Sequence, residues 1–86
     1  MRHARDEDLD RIEGLLEELR GLPGLKEKKR GVFYWKSKAF LHFHEDPKGM
    51  FADLNGGAGR MDVRIDVTET AGQATLLEAA RRRLES

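Results

Sequence analysis

The chain has 86 residues, no cysteine, and 16 basic side chains matched by 16 acidic ones, for a formal net charge of zero. That length allows one domain over residues 1–86 with a small core, and without cysteine neither a disulfide nor a thiolate-bound metal can reinforce it. A neutral total argues against indiscriminate polyanion binding, and no apolar run approaches the roughly 20 residues of a membrane span. Charged residues crowd Met1–Glu7 where a signal peptide would be apolar, so the expected location is the cytoplasm.

Leu9, Ile12, Leu15 or Leu16, and Leu19 recur at helical spacing and predict an amphipathic helix from about Asp8 to Arg20. Asp6 or Asp8 is its expected cap, and Gly21 and Pro23 are its stop. Residues 1–20 hold seven acids against four bases, whereas residues 25–38 hold six bases against the single acid Glu27, so charge is distributed unevenly along the chain. Four strands are expected next, near Val32 to Lys36, Ala39 to Glu45, Met50 to Asn55 and Met61 to Val67. Their links are short: Ser37-Lys38, Asp46-Pro47-Lys48-Gly49 and the glycine-rich Asn55 to Gly59. A capping-box spacing at Thr70-Ala71-Gly72-Gln73 opens a second helix, with Ala74, Leu77, Ala80 and Leu84 on one side. Arg81-Arg82-Arg83 falls in its last turns, where positive charge meets the negative end of the helix dipole. The predicted fold is therefore α+β: a two-layer sandwich, a four-stranded antiparallel meander with both helices on one face, in the order α-β-β-β-β-α.

Alternation along the strands assigns the faces. A two-residue turn at Ser37-Lys38 puts Val32, Tyr34, Leu41 and Phe43 on the core face. A turn at Asp46 to Gly49 sets His44 against Phe51, His42 against Asp53 and Leu41 against Leu54. The open face is then expected to carry Phe33, Trp35, Phe40, His42, His44, Phe51 and Asp53. So many large side chains on a free face predict a protein-association surface, for a second copy or another protein, and no enzyme activity. Two alternatives stand beside it. Lys26, Lys28, Lys29, Arg30, Lys36 and Lys38 bracket Phe33-Tyr34-Trp35 and are suited to phosphates and stacked bases of a nucleic acid. His42 and His44, two apart on one strand with Asp53 opposite, suit zinc or another divalent ion, although Asp53 also faces Arg64 on the following strand. Hydrolytic serine chemistry lacks a credible nucleophile, since Ser37 sits in a turn and Ser86 at the terminus. The run Gly56-Gly57-Ala58-Gly59 lacks the Lys-Ser or Lys-Thr of a phosphate-binding loop.

The segment Phe33-Tyr34-Trp35-Lys36-Ser37-Lys38-Ala39-Phe40-Leu41-His42-Phe43-His44-Glu45-Asp46-Pro47, followed by Gly49 and Phe51-Ala52-Asp53, resembles a group of small bacterial proteins that bring no activity to transfer. The order helix, four strands, helix also resembles frataxin-like folds, a group that includes the MmcQ/YjbR-type proteins. Frataxins handle iron through an acidic first helix and strand edge, and Asp6, Glu7, Asp8, Asp10, Glu13, Glu17 and Glu18 form a similar acidic region here. The chain departs from frataxins in its shorter length and its histidine-bearing strand, so the resemblance does not carry iron handling across. The MmcQ/YjbR likeness implies DNA binding and adds to the nucleic-acid alternative.

Overall fold

A computed structural model describes residues 2–57 and 59–85. The five apolar residues of the first helical stripe are all buried, at 0–3 % exposure, yet they do not lie on one regular helix. Helix α1 (Asp6–Leu9) passes through a 3-10 turn at Asp10–Ile12 into α2 (Glu13–Arg20). The expected Asp cap is replaced by Arg5, whose backbone N–H donates to the Asp8 carboxylate at 3.0 Å, and Asp8 is itself buried. Helix α3 (Thr70–Glu85) turns Leu76 and Ala80 fully inward, one turn apart, with Leu77 and Leu84 half-buried beside them and Ala74 exposed. No helix among the described residues is long and apolar enough to cross a membrane.

The sheet has more strands than the alternation predicted. β1 (Arg2–His3) and β2 (Leu25–Lys29) join β3 (Val32–Trp35), β4 (Lys38–Asp46), β5 (Gly49–Leu54) and β6 (Val63–Asp66). All pairings are antiparallel, in the order β2-β3-β4-β5-β6, with β1 added to β4. Because β5 already pairs with Leu41 to Asp46 on one edge of β4, β1 occupies the other edge, beyond the point where β3 leaves it. β2 escaped the sequence pattern because its residues, Leu25-Lys26-Glu27-Lys28-Lys29, are nearly all charged, as suits an edge strand that must resist further pairing.

The first hairpin corrects the expected register. Its turn is Lys36-Ser37, both at positive φ (52° and 68°), the geometry of a tight two-residue hairpin turn. Trp35 pairs with Lys38 and Tyr34 with Ala39, but Phe33 pairs with Leu41, so Phe40 is an extra residue in β4. This bulge reverses the predicted faces of β3. Phe33 and Phe40 are 1 % exposed and belong to the core with Leu41 and Phe43, and Trp35 packs half-buried against the same cluster, edge-on to Phe40 at 5.8 Å. These three aromatics therefore do not lie on an open face. Val32 and Tyr34, predicted inward, are only half-buried. The second hairpin pairs as expected, with His44 opposite Phe51, His42 opposite Asp53 and Leu41 opposite Leu54. Leu54, Ala52 and Met50 complete the sheet's contribution to one hydrophobic cluster shared with α1, α2 and α3.

Neither Lys36 nor Ser37 is suited to the left-handed conformation it adopts. Ser37→Gly is expected to stabilise the protein by up to about 1 kcal/mol, the relief of left-handed strain less the entropy of glycine. A urea midpoint that stays put or falls would contradict a strained turn at this position.

Candidate metal centre

β4 places His42 and His44 two residues apart, hence on the same pleat and opposite to Leu41 and Phe43. Each neighbouring strand then adds one residue by register. β5 sets Asp53 opposite His42, β6 sets Arg64 opposite Asp53, and β1 sets His3 opposite His44. All three histidines of the chain thus meet on one patch of sheet, and their candidate donor nitrogens lie within 4.8 Å of one another. The ring centroids of His3 and His44 are 4.9 Å apart in a stacked pair, those of His42 and His44 are 4.8 Å apart and edge-on, and His3 and His42 are 5.8 Å apart.

Asp53 underlies the cluster. Its residue exposure is only 4 %, and its charge is met by Arg64, whose Nε donates to Oδ1 at 2.7 Å and whose second nitrogen donates to Oδ2 at 3.1 Å. His44 Nε2 lies 2.9 Å from the same Oδ2, while His42 Nδ1 is 3.9 Å from it, beyond hydrogen-bond reach. His42 Nδ1 is consequently buried with no hydrogen-bond partner. Desolvation lowers the pKa of both His42 and His44, outweighing the pull of Asp53, so both imidazoles favour the neutral form that can ligate a metal. Burial alone would raise the Asp53 carboxyl, but the Arg64 hydrogen bond and charge, with His44 and His42, hold it below the usual range.

Of the residues singled out in the sequence, His42, His44 and Asp53 come together, with Phe51 half-buried opposite His44. Sequence reasoning missed His3. A two-residue strand is too short to show periodicity, and the only signal was that one further histidine remained in the chain. The six basic residues do not form one surface. Arg30 is committed to the first helical segment, within 3.2 Å of Asp6, 2.9 Å of Asp10 and 2.7 Å of Glu13. Lys29 lines a cavity beside His3, and Lys38 lines a separate hollow with Trp35 and Arg83. Lys26, Lys28 and Lys36 line one hollow with Tyr34, where Lys28 Nζ is 4.9 Å from the Tyr34 ring centroid, while Lys36 Nζ lies 4.6 Å from the ring centroid of Trp35. Among the described residues these three lysines have no carboxylate partner. No family profile, curated protein or solved structure matches this chain.

Because His42 and His44 take up protons less readily folded than at the ordinary value of 6.5, the unfolded chain binds more protons as the pH falls below that value. Their contribution to stability is therefore complete above 6.5 and is lost as the pH drops through their lowered folded values. In chelator-treated buffer the melting temperature should fall between pH 7.5 and pH 5, and His42→Gln with His44→Gln should flatten that slope. An equal slope in the double variant would place the pH sensitivity elsewhere.

Proposed function

We propose that this protein binds a divalent transition-metal ion of the zinc class through His3, His42 and His44, with Asp53 orienting His44. The observation that carries this reading is the convergence of the chain's three histidines, one of which, His42, has a buried Nδ1 without a hydrogen-bond partner. An unpaired buried polar atom costs about 1–3 kcal/mol, and a bound ion would remove that cost. Zinc binds imidazole nitrogen at about 2.0–2.1 Å, so tetrahedral donors stand about 3.4 Å apart. The candidate donors, within 4.8 Å of one another, would have to close by up to about 1.4 Å to reach that spacing. Asp53 is better placed as the carboxylate behind a ligand than as a ligand, since Arg64 and His44 engage both of its oxygens. The fourth position would fall to water or another donor. Glu45 has the opposite pleat parity and pairs with Arg2 at 3.2 Å, and Asp46, which shares the histidines' pleat, accepts the Lys48 N–H at the turn, so the reading is ion binding rather than hydrolysis.

Free zinc at 100 times its Kd should add about 2.7 kcal/mol of stability. For a domain of this size that corresponds to a rise in Tm of roughly 10–20 °C. His42→Ala and His44→Ala should each weaken binding at least about tenfold. Native mass spectrometry showing no retained ion, with an unchanged Tm in zinc, would remove the proposal.

A second reading is favoured by the hollow that Lys26, Lys28 and Lys36 line with Tyr34, which would suit a single-stranded nucleic acid, phosphates on the lysines and a base on the ring. Here Tyr34→Ala should cost about 1–3 kcal/mol of binding, and each lysine removed should reduce the slope of log K against log salt by about 0.7. Absence of any shift with oligonucleotides at low salt would eliminate it.

A further inference from the structure

We propose that the ion is the clasp that fastens β1 onto β4, so that metal occupancy controls whether the segment leading into α1 is docked. This inference rests on the metal reading above and adds a regulatory consequence to it. Two of the ligands, His42 and His44, belong to the strand flanked by β5 on one edge and by β3 and β1 on the other, and that strand does not depend on the ion for its place. The third ligand does. β1 has two residues, both exposed, and the only side chain it contributes to the apolar cluster is that of the following Ala4, partly buried. Its other restraints are the pairing of Arg2 with Glu45 and of His3 with His44, the stacking of those two imidazoles, the Ala4 N–H donated to the Phe43 carbonyl at 3.1 Å, and ion pairs from the half-exposed Arg2 to Glu45 at 3.2 Å and to the buried Asp8 at 3.9 Å. Short, polar, solvent-facing pairings of this kind open locally far more often than a protein unfolds.

An ion that gains His3 as a ligand beside His42 and His44 binds the docked arrangement more tightly than the undocked one, and by linkage it must deepen that state. The docked state has consequences beyond the strand. Ala4 runs directly into Arg5, whose N–H is capped by the buried Asp8 at the start of α1. His3 and Ala4 also form one wall of a cavity of about 270 Å³, completed by Leu9, Val32 and Phe43 among others. Release of β1 would remove one wall of that half-open cavity and free the entry of the helix.

Amide hydrogen exchange of the full chain, read residue by residue by NMR with and without zinc chloride, tests the clasp. Without zinc, the Ala4 amide should exchange through local opening, faster than the β4–β5 ladder amides. Free zinc at 100 times Kd should slow it by up to about 100-fold, and by about tenfold where the undocked His42 and His44 retain zinc at a tenfold weaker Kd. In His3→Ala, zinc held more weakly by His42 and His44 should leave the Ala4 rate unchanged. The clasp is overturned if zinc binds the wild type and the Ala4 rate does not move, if the Ala4 amide already exchanges as slowly as the ladder without metal, or if His3→Ala at equal saturation shows the same slowing. If no zinc binds at all, the metal reading itself fails and the clasp with it.

Discussion

One additional residue in β4 determines what every face of this protein carries. Phe40 stands unpaired between Ala39, opposite Tyr34, and Leu41, opposite Phe33, so the strand changes parity in its first half. Phe33, Phe40, Leu41 and Phe43 are all delivered to the helices, and His42 and His44 are left on the other pleat. Without the bulge, Phe33 would share a face with His42. Each large apolar side chain fully buried stabilises by about 1.5–3 kcal/mol, a sizeable part of what a chain this short can gather. The same irregularity that completes the core therefore clears the ground on which the histidines meet.

The parts of this arrangement that were legible in the sequence had strong local chemistry. Asp46-Pro47-Lys48-Gly49 specifies a turn, and the β4–β5 register followed from it, placing His42 against Asp53 correctly. Leu9 to Leu19 declared a buried stripe even though the backbone breaks into a 3-10 turn beneath it. What stayed hidden lacked such chemistry. Lys36-Ser37 adopts positive φ with neither glycine nor asparagine to announce it, so the turn was read one residue late. A bulge leaves no trace in a run such as Ala39-Phe40-Leu41, where both pleats look apolar, and the misplacement of Phe33, Trp35 and Phe40 follows directly from it. His3 could be joined to the site only by long-range pairing, which no window of sequence encodes.

The uneven charge along the chain resolves largely into internal pairing. Arg30 reaches Asp6, Asp10 and Glu13, and Arg20 joins Glu13 at 2.8 Å and also Glu27, tying the acidic helices to the basic β2–β3 hairpin. Individually such solvent-facing pairs contribute little, but as a network they fix the hairpin over the helix start and use up acids that would otherwise form a negative surface. Among the described residues of the basic segment, those without a carboxylate partner are its lysines: Lys26, Lys28 and Lys36 in the hollow beside Tyr34, with Lys29 and Lys38 apart from them.

The acids and the histidines consequently divide by chemistry. Hard ions such as calcium or magnesium need several oxygen ligands, and the carboxylates able to cluster are held by arginines: Asp6, Asp10 and Glu13 by Arg30, and Asp53 by Arg64. The donors still available in one place are imidazole nitrogens, two of them on rings that partial desolvation biases toward the neutral form. Imidazole suits zinc, copper or nickel, and a buried carboxylate fixed by Arg64 behind His44 raises the basicity of that ring without adding a hard oxygen to the set. The arginines thus do more than balance charge. By occupying the oxygens they leave nitrogen as the coordination chemistry this surface can offer.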